Sequence, residues 1–474
     1  MGVNNGGLAR AATILFAISS LWLCSGCGPV VGGSFSSGGS GVSAVRTAVS
    51  STTPISHYIS HIVVIVQENR SFENFFAGYP GANAPMNGCG KGSAAASGTG
   101  SGSGCPPGEQ VIPLHQVTFQ HEPNLAHVFE ASLTDWDNGK MDGFSKYGFS
   151  HDDAAYAYIE RSQVQTYWTM ANQYVLADEM FPTEFGPSWT AHLTLVAGTD
   201  NITPTTALAD FATGHSNCKA APGTMTAIVD EKRVVHHDSG PFPCLDQFNT
   251  IAQALDTAGV TWKYYVAARL KSFIWSPFAA IKYVEQGPDW TNNVIQPQTQ
   301  VLKDIYAGKL ASVSWVTPSH KDSDHPGAHS DTGPAWVASV VNAIGQSPYW
   351  NSTAIVVVWD DYGGFYDNAP PPQLDFRGLG IRVPCLIISP YAKPGVVSHK
   401  TYEFGSIIKL IEEAFPTVGK LGLPSQGYTD TRARSMRDIF DFSKPPRQFK
   451  PIPAKYPASY FLHEPRSLEP VDNE

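Results

Sequence analysis

Two pairs of polar residues follow two apolar runs of the chain. The first pair, Glu68-Asn69, comes one residue after five consecutive aliphatic residues, and the second, Asp360-Asp361, directly follows a run of six apolar residues. Three carboxylates and one amide oxygen form an oxygen-rich ligand set that suits Mg²⁺, Mn²⁺ or Ca²⁺ and that Zn²⁺ also accepts. Clustered carboxylates repel one another, so a divalent cation would give this group of acids a purpose.

The segment Gly186-Pro187-Ser188 is a second candidate for chemistry. Gly-Pro favours a turn, and a hydroxyl held on a turn is a candidate nucleophile when a metal ion or a base activates it. In the other interpretation, Ser188 only caps a helix that runs through His192. The amino end of such a helix also offers N–H groups to an anion such as phosphate. Both interpretations can hold for the same residue.

Two histidines are candidates for contacts to a reacting group. His325 lies in a polar loop ahead of the helix that precedes the acidic pair, and His127 lies in a loop in the first third of the chain. The sequence holds 15 histidines, so most of them must fill ordinary surface or core positions. His236, His237 and His320 are weaker candidates for the same site.

Four short β-branched runs predict the strands that position these groups. They cover residues 62–66, 312–316, 354–359 and 383–389. Such runs are typical of strands buried on both faces, as in a parallel sheet. Residues 332–344 and 404–415 have apolar side chains at helical spacing. We therefore expect an α/β fold with a mostly parallel central sheet flanked by helices, in which both polar pairs lie at the carboxyl edge of the sheet.

Composition limits the function classes. The chain has 474 residues, of which 42% are hydrophobic and 15% charged, with 43 Gly and 36 Pro, as expected of a loop-rich globular protein. The net charge is −10 and the sequence has no Lys/Arg run, so nucleic acid is not an expected partner.

The N-terminal residues predict export from a bacterial cell. Arg10 precedes a short apolar stretch that ends at Cys24 and Cys27, and small residues before Cys27 resemble a lipobox, although Cys24 stands where Leu is usual. An ordinary cleaved secretory signal is the alternative. The first interpretation predicts a periplasmic or cell-surface lipoprotein that contacts the membrane through its lipid, and the second a secreted protein.

We expect four regions along the chain. They are a signal peptide over 1–27, a Gly/Ser-rich tether over 28–55, a catalytic domain over 56–445 and a C-terminal extension over 446–474.

Export makes disulfides possible, and five cysteines lie beyond the predicted signal peptide, which is called the leader below. Cys89 and Cys105 bracket one loop, and Cys218 and Cys244 bracket another, so adjacency favours these two bridges. Cys385 follows Val-Pro within an apolar run and is expected to be a buried free thiol.

The chain resembles the bacterial phosphoesterase family that contains phospholipase C and single-metal acid phosphatases, within the alkaline-phosphatase-like superfamily. The resemblance runs from about His61 to Phe442. It is carried by Gln-Glu-Asn-Arg-Ser-Phe-Glu-Asn-Phe-Phe at 67–76, Gly-Lys-Met-Asp-Gly-Phe at 139–144, Gly-Pro-Ser at 186–188, Ser-Asp-His-Pro at 323–326, Trp-Asp-Asp-Tyr-Gly-Gly-Phe-Tyr-Asp at 359–367 and Arg-Val-Pro at 382–384. It implies an alkaline-phosphatase-like core with loop-rich insertions.

The resemblance also implies roles for individual residues. Family members bind one metal ion, of undetermined identity here, through residues that correspond to Glu68, Asn69, Ser188, Asp360 and Asp361. Ser188 would be the nucleophile, and His127 and His325 would contact the phosphoryl group. Arg70 is left open between a phosphate contact and a structural ion pair.

Two departures from the family pattern affect the expected substrate and activity. Phospholipase C relatives often carry Pro-Asn-Arg where this chain has Thr190-Ala191-His192, which puts a phospholipid substrate in question. Many relatives carry Asp-His where this chain has Asp367-Asn368, which removes a histidine near the site.

The sequence thus predicts an exported, metal-dependent phosphoric ester hydrolase with a serine nucleophile and a phosphate ester or phospholipid head group as substrate. A sulfatase is the less favoured enzyme class, because the C/S-x-P-x-R pattern occurs only at 443–447, beyond the segments that carry the resemblance. A surface binding protein that kept the fold and weakened its chemistry is the remaining alternative.

The leader generates the first prediction. The mature chain should begin at Cys27 and carry lipid there, because small residues precede this cysteine and a tether follows it. Mass spectrometry of the mature N-terminus checks this. An unmodified start downstream of Cys27 would contradict the lipid anchor and leave export standing.

Overall fold

The computed structural model describes residues 53–90, 105, 109–146, 153–211, 217–268 and 274–467. The predicted signal peptide and nearly all of the predicted tether lie outside these residues. Within them, no helix has the length and apolar character needed to cross a membrane.

Seventeen strands form in the described part of the chain. They are β1 (His61–Gln67), β2 (Asn87–Gly90), β3 (Gln110–Pro113), β4 (His115–Val117), β5 (Ala157–Ile159), β6 (Val175–Phe181), β7 (Asn201–Thr203), β8 (Thr206–Asp210), β9 (Ala227–Asp230), β10 (Val235–His236), β11 (Trp262–Tyr265), β12 (Val294–Ile295), β13 (Val313–Val316), β14 (Thr353–Trp359), β15 (Val383–Ile388), β16 (Val396–Ser398) and β17 (Tyr402–Glu403).

Eleven α-helices accompany the strands over the same residues. They are α1 (Phe72–Phe76), α2 (Phe129–Trp136), α3 (Arg161–Gln173), α4 (Ser188–Ala197), α5 (Ile251–Ala258), α6 (Lys282–Glu285), α7 (Asp289–Asn292), α8 (Gln300–Tyr306), α9 (Gly333–Gly345), α10 (Phe404–Ala414) and α11 (Ala458–His463).

A central sheet of nine strands organises the molecule. Its order is β12-β11-β13-β1-β14-β15-β6-β16, with β17 also paired to β6. All pairings are parallel except β14–β15 and β15–β6, so β15 alone runs opposite to the other strands. The expected α/β fold with a mostly parallel sheet is confirmed.

The four predicted strands are present, but the direction implied for residues 383–389 is wrong. These residues form β15, which is antiparallel to both of its neighbours. Every side chain of β15 is buried, because the strand lies inside the sheet between β14 and β6. A continuous apolar run therefore indicates that both faces of a strand are buried, but it does not indicate the direction of the strand.

The two predicted helices also form, as α9 and α10. In α10, Ile407, Ile408 and Ile411 lie on a common apolar face and are fully buried. The helix begins after Glu403, whose backbone N–H donates to the Ser406 hydroxyl at 3.2 Å.

The described part of the predicted C-terminal extension packs onto α9. Phe461 is fully buried, with its ring 5.4 Å from that of Trp336. Asn342 on α9 accepts a bond from the Ile452 N–H at 2.8 Å and donates to the Ile452 carbonyl at 2.9 Å. The predicted regional boundaries remain predictions.

Both predicted disulfides are present, Cys89–Cys105 and Cys218–Cys244. Cys385 is a free, buried thiol, as expected.

The disulfides generate the second prediction. Non-reducing peptide mapping of protein made in an oxidising compartment should recover both pairs, because each bridge limits the conformations of the unfolded chain. Cys385 is the internal control and should react with an alkylating reagent only after unfolding. A free thiol at any of the other four positions would contradict the pairing.

Candidate active site

Three parallel strands deliver the predicted site residues to one edge of the sheet. Glu68 and Asn69 follow β1, Asp360 and Asp361 follow β14, and Ser188 is reached by the loop that follows β6. These strands share one direction, so their carboxyl ends lie at the same edge. All five side chains are at most 2% exposed. The structure therefore brings the five residues predicted as metal ligands to one buried place.

Backbone hydrogen bonds join the turns that follow β1 and β14. The N–H of Asn69 donates to Asp360 Oδ1 at 2.8 Å, and the N–H of Arg70 donates to the Asp361 carbonyl at 2.9 Å. In return, the N–H of Asp360 donates to the Gln67 carbonyl at 3.0 Å. Asn69 has a positive φ of 60°, a conformation that asparagine tolerates better than most residues. The two turns thus form one unit.

Gly363 allows the two turns to approach this closely. Its φ is +62°, and a Cβ at this position would lie 2.1 Å from the carbonyl oxygen of Asn69. The N–H of Gly363 also donates to Asp361 Oδ1 at 2.7 Å, which leaves Oδ2 directed elsewhere. The Gly that follows the acidic pair is therefore required by a close backbone contact.

Ser188 is the first residue of α4 and does not cap that helix. Pro187 is the N-cap residue, and it provides no side-chain bond to the first turn of the helix. The Ser188 hydroxyl instead donates to Asp361 Oδ2 at 3.3 Å and lies 3.5 Å from Asn69 Oδ1. The interpretation of Ser188 as only a helix cap is therefore wrong.

His127 contacts the same group through Asn69. Its Nδ1 lies 2.7 Å from the Leu125 carbonyl, which can only accept, so Nδ1 carries the proton. Nε2 then accepts from Asn69 Nδ2 at 2.6 Å and lies 4.0 Å from Asp361 Oδ2. This bond directs the amide oxygen of Asn69 toward Ser188. The position of His127 agrees with its predicted role, and the role itself stays a prediction.

His192 belongs to this group, although the sequence did not identify it. Its Nε2 lies 3.0 Å from Glu68 Oε1 and 3.8 Å from Asp360 Oδ2. Burial lowers the pKa of His192 to about 4, and the nearby Asp360 carboxylate offsets only part of this effect. The available signal was the spacing of four residues from Ser188, which places both side chains on one face of α4.

His325 lies in the neighbouring loop but has different described partners. The Ser323 carbonyl accepts the Glu68 N–H at 2.9 Å, so this loop borders the site. The ring of His325 lies 5.1 Å from that of His320 and 5.9 Å from that of Trp275. Its Nδ1 bonds the carbonyl of Pro326. The phosphoryl contact of His325 stays a prediction.

Two of the weaker histidine candidates lie at the surface. His236 is 45% exposed and pairs with Asp230 at 3.0 Å, and His237 is 76% exposed with Glu130 at 3.9 Å. Surface carboxylates account for both side chains.

Arg70 forms a structural ion pair, which was one of the two roles left open for it. It is fully buried, forms an ion pair with Glu122 and donates from Nε to the Asp324 carbonyl at 2.7 Å. Its guanidinium also lies over the rings of Phe75, Phe119 and Phe365.

The departure at Asn368 falls within a structural ion-pair network. Asn368 Oδ1 accepts from Arg382 at 3.0 Å, and its amide donates to Asn83 at 2.9 Å. Arg382 in turn bonds the buried Asp367 at 2.9 Å.

A second buried network supports the loop that carries Ser188. The Phe185 N–H donates to the Arg377 carbonyl at 3.2 Å, and the Arg377 guanidinium bonds Asp200 and Asp375. Burial and the neighbouring Asp200 carboxylate raise the pKa of Glu184 well above its usual range. The backbone bond from Phe185 to Arg377 therefore attaches this loop to an arginine that is itself held by two carboxylates.

The residues at this edge fit a divalent cation. Glu68, His192 and Asp360 each offer a ligand atom, and these atoms all lie within 4.8 Å of one another. Among the described residues, Asp360 Oδ2 is buried without a hydrogen-bond partner. Such an oxygen is costly unless a cation or a hydrogen-bond donor meets it, so a cation bound among these three side chains fits the site.

Residues 59–417 match the Phosphoesterase family. The chain belongs to this family. A non-hemolytic phospholipase C of Pseudomonas aeruginosa is 25% identical over 401 residues, which cover 75% of this chain and 54% of that enzyme. Phospholipase C A of Mycobacterium tuberculosis is 25% identical over 452 residues, which cover 83% of this chain and 79% of that protein. The chain thus spans about half the length of the Pseudomonas relative.

Solved structures offer a more distant likeness. A protein of the alkaline phosphatase superfamily from Vibrio parahaemolyticus aligns with a TM-score of 0.34 and 12% identity, over 59% of this phosphoesterase chain and 67% of that chain.

The contact between Gly363 and Asn69 generates the third prediction. Gly363→Ala should lower the free energy of unfolding more than Gly223→Ala does. Both glycines have positive φ, which costs a side-chain-bearing residue about 1–2 kcal/mol, but nothing lies within 4 Å of a Cβ at Gly223. The forced contact at Gly363 should add about 1–3 kcal/mol. Denaturant unfolding of both variants checks this, and equal losses would contradict it.

Proposed function

We propose that this protein is an exported, metal-dependent phosphoric ester hydrolase that uses Ser188 as its nucleophile. The observation that carries the proposal is the hydroxyl of Ser188, buried at the amino end of α4 and 3.3 Å from Asp361 Oδ2. Family membership and the phospholipase C relatives support the same reaction class.

The proposed cation would be held by Glu68, Asn69, Ser188, Asp360 and Asp361. A divalent ion there supplies positive charge that stabilises the alkoxide of Ser188 and the phosphoryl oxygens. Asn69 presents its amide oxygen, because its amide nitrogen is engaged by His127. The turns that carry Asn69 and Asp360 are fixed to each other by hydrogen bonds, so these ligands are positioned before any ion binds.

The proposed reaction has two displacements. The Ser188 hydroxyl loses its proton toward Asp361 Oδ2, the Oγ–P bond forms, and the bond from phosphorus to the leaving oxygen breaks. The free N–H groups of the first turn of α4 face the phosphoryl oxygens. The leaving oxygen takes up a proton, and water then cleaves the Oγ–P bond to restore Ser188. We assign phosphoryl contacts and proton delivery to His127 and His325.

The substrate class is a phosphoric ester, either a phosphomonoester or the head-group diester of a phospholipid. The relatives named phospholipase C favour the diester. We further propose that the leader delivers the enzyme to the periplasm or cell surface, where a lipid on Cys27 would keep it beside phospholipid.

A substrate panel tests the proposed activity. Purified protein should hydrolyse at least one of phosphatidylcholine, a chromogenic phosphomonoester and bis-p-nitrophenyl phosphate, and a chelator should abolish turnover. Binding of phospholipid without turnover of any ester would favour the alternative of a binding protein on this fold.

Two substitutions in the site generate the fourth prediction. Ser188→Ala removes the attacking oxygen while four ligands remain, so the rate should fall by several orders of magnitude with most of the metal retained. Asp360→Asn weakens a ligand, so metal content and rate should fall together. Metal analysis and hydrolysis rates measured side by side check both expectations.

Thr194→Val is the matched control. It removes a buried hydroxyl from the same helix, one whose bond goes to the Ala191 carbonyl at 3.0 Å, and it should keep metal and rate. Retention of most activity by Ser188→Ala would show that the mechanism is wrong.

A further inference from the structure

One buried side chain at the site has no part in the proposed reaction. His192 is 1% exposed and lies one helical turn after Ser188, with its Nε2 between two carboxylates. The oxygen ligand set described above does not include this nitrogen.

The surroundings of Asp360 indicate what the nitrogen does. Asp360 Oδ1 already accepts the Asn69 N–H at 2.8 Å. Asp360 Oδ2 is buried, and His192 Nε2 lies 3.8 Å from it, which is too long for a hydrogen bond. A hydrogen bond from Nε2 to Glu68 alone would therefore leave Asp360 Oδ2 unsatisfied. An ion bound between Asp360 Oδ2 and His192 Nε2 would contact both atoms.

The distances from His192 Nε2 to the two carboxylate oxygens fit shared coordination. Ligand atoms about 2.0–2.2 Å from one ion lie about 2.8–3.6 Å apart, with octahedral geometry at the short end and tetrahedral geometry at the long end. The distances from His192 Nε2 are 3.0 Å to Glu68 Oε1 and 3.8 Å to Asp360 Oδ2. The first lies near the short end of this range and the second slightly beyond its long end, so small rotations of the side chains would complete the coordination.

We propose that His192 Nε2 is itself a ligand of the cation, beside Glu68 and Asp360. The inference rests on the proposed function, because it concerns the cation of the same site. An imidazole nitrogen suits Zn²⁺ and Fe²⁺, whereas Mg²⁺ and Ca²⁺ take oxygen ligands. The metal of this protein is then a transition-type ion, and α4 provides the nucleophile and a metal ligand from adjacent turns.

Pulsed electron paramagnetic resonance of the Mn²⁺-loaded full chain tests the ligand directly. The wild-type protein should show a coupling to a bound ¹⁴N nucleus, and incorporation of ¹⁵N-histidine should remove that coupling. His192→Gln should abolish it. His127→Gln should keep it, because His127 Nε2 engages the amide nitrogen of Asn69.

Metal selectivity provides the second readout. After dialysis against equal concentrations of Zn²⁺, Mn²⁺, Mg²⁺ and Ca²⁺, the wild-type protein should retain Zn²⁺. His192→Gln should lower its preference for Zn²⁺ over Ca²⁺ by about 10-fold or more.

Absence of a histidine coupling in the wild-type protein would overturn the proposal, and this measurement does not require a variant to fold. Persistence of the coupling in His192→Gln would also overturn it, and His192 would then only hydrogen-bond Glu68. The hydrolysis panel separates this outcome from failure of the proposed function. If the ion is bound to histidine but no ester is hydrolysed, the proposed hydrolase function is wrong. If esters are hydrolysed but the coupling is absent, only the assignment of His192 as a ligand is wrong.

Discussion

The site depends on the contact between the turns that follow β1 and β14. The backbone of Asn69 donates into the Asp360 carboxylate, and its carbonyl faces Gly363 so closely that no side chain fits between them. Without this contact, three buried acids would lie at the ends of separate strands with nothing to fix their mutual geometry. A positive φ at Asn69 and a glycine after the acidic pair are the local conditions that make the contact possible.

The nucleophile is held by a different kind of interaction. Ser188 follows the loop after β6, and β15 separates β6 from β14 in the sheet. The loop must therefore extend past the end of β15 to bring Ser188 to the acids. Arg377 secures that loop through its carbonyl bond to Phe185 and its ion pair with Asp200. The serine loop is therefore attached by a backbone hydrogen bond to Arg377, and buried ion pairs fix the position of Arg377.

The sequence predicted four strands with continuous apolar runs and missed β6, a strand of the central sheet that contains charge. β1 and β14 were found because every core position is aliphatic or aromatic. β6 contains Asp178 and Glu179, and Asp178 is tolerated inside because it pairs with His399 at 2.9 Å, a partner far along the chain. In the sequence, His192 stands out only as a departure from a family pattern. Its place in the site is not visible there, because its contacts to Glu68 and Asp360 exist only after the sheet forms. Asp360, Asp361 and Ser188 were accessible because each follows a recognisable strand or turn.

The reversed direction of β15 determines how the chain connects the two parts of the site. The chain leaves β14 and enters β15 at the same edge, so residues 360–382 remain there and never cross to the other side of the sheet. This one covalent segment carries the acidic pair at its start, Arg377 near its end and Arg382 at the entry to β15. At one edge of the sheet, residues 360–382 therefore join the acidic pair covalently to Arg377, whose carbonyl accepts the Phe185 N–H of the serine loop.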